Sequence, residues 1–192
     1  YLFNLSNADL DALMLSQINK YGKMPDLTNT VKPNTLPFQS KRKIMIQKKL
    51  QAPFEAKVAK MIESGGRREV EYSPELWIHD LIGIQKLPER IDSSTGLLAV
   101  RPIGILCAIN AAHDYDAHLT EEMPSIQEAK QHMPAESEYM ISSDASDGYD
   151  VCVIEQNSRK YVCLGYWSAE KQKYRILECV RMPQGLKSAG VW

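Results

Sequence analysis

Tyr139–Arg159, YMISSDASDGYDVCVIEQNSR, is the stretch from which the fold is read. Apolar residues lead into a carboxylate, Asp144, and Gly148-Tyr149-Asp150 supplies turn residues a few positions on. An apolar run, Val151–Ile154, follows. The pattern predicts a strand that ends in an acid, a tight turn, and a chain that doubles back. Asp144 then stands at a strand end, where a side chain can leave the core and meet solvent or a metal. Near the C-terminus a second block, Arg181–Lys187 (RMPQGLK), carries another turn signal in Pro183-Gln184-Gly185.

Working outward, the chain has 192 residues, 44% of them hydrophobic, enough to bury a core in one domain or two small ones. Its 23 basic and 24 acidic residues leave a formal charge of -1. That balance argues against a protein held on nucleic acid by charge alone, because Lys and Arg contacts to phosphates dominate such binding. Cys107, Cys152, Cys163 and Cys179 form no CxxC pair and read as buried free thiols of a reducing compartment. There is no signal-peptide pattern and no apolar run of membrane-spanning length. The expected location is cytoplasmic or nuclear, with no membrane partner.

Ser6–Tyr21 predicts an amphipathic helix, with Leu10, Leu13, Met14 and Ile18 on one stripe. Lys23–Gln39, with three prolines, reads as a linker. Lys41, Arg42, Lys43, Lys48 and Lys49 could contact phosphates, act as a nuclear address, or form a solvated face. Pro53–Ser64 predicts a second helix, stopped by Gly65-Gly66, and Pro124–Met133 a third. Trp77–Lys86 and Leu97–Asn110 are β-prone and predict a hairpin across a polar loop. Tyr161–Trp167 and Lys173–Val180 predict another, across Ser168–Gln172. His113 and His118 lack a zinc-site spacing and read as surface residues.

Three blocks taken together resemble the reverse transcriptases of Ty3/gypsy-type LTR retrotransposons. They are Asp144 with Gly148-Tyr149-Asp150 and Ser158-Arg159; Met182-Pro183-Gln184-Gly185-Leu186-Lys187; and Arg101 with Asn110. The resemblance implies an α+β fold with a fingers hairpin and a partial palm sheet flanked by helices. On that reading residues 1–38 are an N-terminal helix and linker, 39–123 a fingers-like region and 124–192 a palm-like region. Arg101 answers to the triphosphate-contacting arginine and Lys86 or Arg90 to a basic residue of the hairpin tip. Tyr149 answers to the aromatic that excludes a ribose 2′-hydroxyl, and Gln184 to a nucleotide contact. Asp144 answers to the first catalytic carboxylate and Mg²⁺ ligand.

Other positions depart from the family. An Asp and an Arg usual between the hairpin's Arg and Asn are replaced by Ile105 and Cys107, and Thr-Ala-Phe after Ser-Arg is replaced by Val162-Cys163-Leu164. Two-metal nucleotidyl transfer holds ions about 3.5–4 Å apart, and hard Mg²⁺ demands carboxylates. The family draws two of these from a Tyr-x-Asp-Asp hairpin beyond Pro-Gln-Gly, and this chain contains no Asp-Asp pair. The expectation is therefore a reverse-transcriptase-derived fragment that does not polymerise by itself and serves as an interaction module for a protein partner, a host receptor or nucleic acid. The alternative is part of an active RNA-directed DNA polymerase that binds template–primer and a deoxynucleotide with two Mg²⁺ ions. A third reading is a small α+β interaction domain unrelated to polymerases.

Overall fold

The computed structural model describes residues 31, 32, 34–40, 44–112 and 152–186. The helices expected over 6–21 and 124–133, the strand leading to Asp144, and Asp144, Tyr149, Asp150, His113, His118 and Lys187 lie outside them.

The described chain is α+β. A helix, α1 (Lys48–Glu63), precedes strands β1 (Arg67–Val70), β2 (Ile78–Gln85) and β3 (Val100–Gly104). A short helix, α2 (Cys107–Ala112), follows, and then a 3₁₀ turn over Gln156–Tyr161 and strands β4 (Cys163–Ser168) and β5 (Lys173–Cys179). The strands form one mixed sheet in the order β1-β5-β4-β2-β3. The β4–β5 hairpin pairs in register from Cys163 with Glu178 to Ser168 with Lys173, the hairpin expected across Ser168–Gln172. β2 joins β4 in parallel, but only over Ile78–Asp80. Farther along, β2 pairs with β3 instead, from Leu81 with Gly104 to Gln85 with Val100. One sheet and both of the core clusters among the described residues thus take residues from the 39–123 and the 124–192 segments.

α1 begins five residues before the expected Pro53. Pro53 lacks an N–H and removes one helical hydrogen bond, but the added turn buries Leu50 in line with Phe54 and Val58. That spacing of four puts the three on one stripe against the sheet. The helix ends as expected, with Gly65 in the left-handed region at φ 72°.

The second arm of the first hairpin differs from expectation. Only Val100–Gly104 is a strand, and Cys107–Ala112 is helical. Past Gly104 the arm has little of β2 left to pair with, and a single bond remains, from the Ile105 N–H to the Asp80 carbonyl at 2.9 Å. Leu106, Ile109 and Ala112, all buried, then follow a spacing of three. A short apolar run does not distinguish strand from helix by periodicity alone; the loss of the pairing partner decides it.

This hairpin was expected to project. It is seated on α1 instead. A Cβ on Gly83 of β2 would lie 2.7 Å from the Phe54 ring, so strand and helix touch there. At the tip, Lys57 of α1 pairs with Asp92 at 3.5 Å and Lys60 donates to the Ser94 carbonyl. The end of the expected linker is also structured. Phe38 accepts from the Ile78 N–H at 2.7 Å, and the Ser40 N–H donates to the Ile78 carbonyl at 2.8 Å, so residues 38–40 run as a short parallel strap beside β2.

Candidate functional site

The Pro-Gln-Gly block is a turn held from both sides. Met182 and Leu186 are buried in the core. Between them the Leu186 N–H donates to the Pro183 carbonyl at 3.4 Å, and Gly185 takes φ 95°. A positive φ at the third position of a four-residue turn fits type II geometry, which favours glycine. Gln184 is left exposed at the apex. The Asn110 side chain donates to the Gly185 carbonyl at 2.9 Å. The last residue of the Arg101–Asn110 block thereby meets the turn 75 positions away.

Arg101 is exposed on β3 opposite Ile84. The Lys86 N–H donates to the Ala99 carbonyl at 2.9 Å, which extends the ladder one step. Strand alternation then puts Lys86 and Arg101 on one face of the hairpin as diagonal neighbours. Arg90 is exposed in the loop beyond. The described residues of the expected nucleotide site therefore fall in two places, Lys86 with Arg101 on the hairpin and Gln184 on the turn that Asn110 braces. Asp144 and Tyr149 lie outside the described residues.

Ile105 and Cys107 follow the end of β3 rather than lining a strand, and both are exposed. Val162, Cys163 and Leu164 are buried. The expectation of four buried thiols is corrected as well: Cys163 and Cys179 are buried, Cys152 is half-buried and Cys107 is exposed at the start of α2. Burial pushes the Cys163 thiol well up, and Cys179 and Glu178 add to this. Of the motif pair Ser158-Arg159, Ser158 is buried and Arg159 donates from Nε to the Ile154 carbonyl at 2.9 Å, fixing the chain before β4. Of the basic run, Lys48 and Lys49 are exposed on the first turn of α1.

One cluster escaped the sequence reading. Arg175 of β5 is buried and grips Glu69 of β1 with two bonds, at 3.1 and 2.7 Å. Its Nη1 donates to the Tyr166 hydroxyl at 2.6 Å, which in turn donates to Glu55 of α1 at 2.9 Å. Glu55 lies 3.5 Å from Arg175. The Arg175 bonds outweigh desolvation and hold the Glu69 carboxyl down at about 2. Burial, then the Glu55 carboxylate, push the Tyr166 phenol up. The signal was present: Arg175, Leu177 and Cys179 alternate onto one face, so a charge at Arg175 had to be paired there.

Among the described residues, no group of three or more His, Cys, Asp or Glu side chains is placed to hold a metal ion. No helix among them is long and apolar enough to cross a membrane. No protein-family model matches the chain, and no curated protein matches it.

Proposed function

We propose that the chain is a reverse-transcriptase-derived fragment that works as an interaction module, with these 192 residues unable to polymerise by themselves. The observation that supports this reading best is the bond from Asn110 to Gly185. Two blocks picked out by their resemblance to one family, far apart in sequence, meet through a residue that belongs to each. The turn so braced offers Gln184 to solvent, and Arg101 and Lys86 share a face of the hairpin. These are groups able to contact a phosphate or a polar backbone, with Arg suited to bidentate contact. No Asp-Asp pair accompanies them. A single carboxylate at Asp144 cannot hold both ions of a two-metal centre.

The test pairs binding with turnover. Anisotropy with a labelled template–primer should show salt-sensitive binding that weakens several-fold in Arg101→Ala. Primer extension on poly(rA) with Mg²⁺ should give no product. Extension that is lost in Asp144→Asn overturns the non-catalytic reading. A template–primer affinity unchanged by Arg101→Ala and Lys86→Ala removes nucleic acid as the ligand of this face and leaves a protein partner.

A further inference from the structure

Independently of that reading, the start of β2 carries a feature of its own. His79 is fully buried. Its ring stacks on Phe38 of the strap with centroids 5.6 Å apart and planes 24° apart, and lies 6.4 Å from the Trp77 ring. Nε2 is 3.0 Å from the Tyr161 carbonyl and must donate to it, so the neutral ring carries its lone pair on Nδ1. Nδ1 is buried and finds no hydrogen-bond partner among the described residues. A second proton would go on Nδ1, placing a charged, unsatisfied N–H between two aromatic rings.

We propose that His79 is a proton-operated latch, holding the Phe38–Ser40 strap on β2 at neutral pH and releasing it under mild acid.

The neighbourhood favours the neutral ring when the strap is closed. Burial lowers the proton affinity of His79 against the weaker opposing pulls of the Tyr161 bond and the Asp80 charge. Lys160 stands over the Tyr161 ring at 5.3 Å, and Lys32 shares with Phe38 and Trp77 an open groove of about 460 Å³. β4 presents Leu164 opposite His79, and α2 brings Ala108, Ala111 and Ala112 to the groove. Opening the strap removes Phe38 from the ring and lets water reach Nδ1. The open form then titrates near the ordinary histidine value of about 6.5, while the closed form stays neutral. Below that pH the open-to-closed ratio rises about tenfold per unit until the closed form also takes the proton. Release frees the Ile78 N–H and carbonyl, which among the described residues the strap covers on that edge.

Amide exchange on the whole chain, corrected for intrinsic rates, reads the latch directly. Protection at Ile78 and Ser40 should lie below that of the β4–β5 ladder and fall about tenfold from pH 7.5 to pH 5.5. His79→Phe, which keeps the stack and removes the proton, should abolish that fall. Phe38→Ala should move the His79 titration, followed by NMR of the ring, up toward the ordinary value. The proposal is overturned if protection at Ile78 and Ser40 matches the ladder at every pH, if their fall survives in His79→Phe, or if Phe38→Ala leaves the His79 midpoint unmoved. The wild-type exchange and the Phe38 variant decide the matter even if His79→Phe fails to fold.

Discussion

Arg175→Met removes a cation that α1, β1 and β4 share through Glu55, Glu69 and Tyr166, and leaves Glu69 with Lys173 at 3.3 Å. The two carboxylates weigh differently. Glu69 has a third of its side chain exposed, so its bond is screened and contributes about 0.5–1 kcal/mol. Glu55 is buried, and losing the partner of a buried charge costs about 3–5 kcal/mol. The low end applies, because the Glu55–Arg175 separation is 3.5 Å and Tyr166 still donates to Glu55 after the substitution. Methionine keeps an apolar stem of similar length but loses the guanidinium that lies 5.6 Å from the Tyr166 ring centroid, and the charge dominates the loss. The sum is about 3–4 kcal/mol out of the 5–15 kcal/mol or so typical of a domain. In urea, with a slope of about 1.5–2 kcal/mol/M, the midpoint should drop by about 2 M at unchanged slope. Adding Glu55→Gln should recover about half of the drop, since it removes the stranded charge. A drop worth less than about 1 kcal/mol, or no recovery in the double variant, would refute the view that this pair is buried and coupled.

Other outcomes follow from single contacts. Because Arg175 depresses Glu69 from 4.5 to about 2, its stabilisation is complete above pH 4.5 or so and fades as pH falls toward 2; the melting difference between wild type and Glu69→Gln should shrink over that window, at most about 1 kcal/mol given the exposure. Gly185→Ala should cost about 1–2 kcal/mol by chemical denaturation, because φ is 95° while an added Cβ meets nothing within 4 Å; a neutral result would mean the turn relaxes. Calorimetry with Mg²⁺ should show only weak binding; submillimolar affinity abolished in Asp144→Asn would show that further ligands gather around that carboxylate.

The β4–β5 hairpin, the stripe of α1 and the Gly65 stop were legible because each depends on local sequence: two β-prone runs around a short polar turn, a spacing of three to four for a helix, and a glycine where φ must be positive. The Pro183–Leu186 turn was legible for the same reason. The candidate site is legible residue by residue only through the resemblance, and the spacing of Asn110 carries no sign of the Gly185 carbonyl that it holds. What tertiary structure decided depends on partners distant in the chain. Cys107–Ala112 is helical because β2 no longer offers it an edge. The end of the expected linker becomes a strap because Ile78 has an N–H and a carbonyl to satisfy. The first hairpin lies on α1 because Gly83 leaves room for Phe54 and because Lys57 and Lys60 reach its tip. His79 and Arg175 look alike in sequence, each a polar residue in an apolar run. Only the packing separates them: three elements deliver hydrogen-bonding partners to Arg175, while His79 receives two aromatic rings and one carbonyl. A buried polar atom depends on what the rest of the chain brings to it, and that is a long-range property which no local pattern encodes.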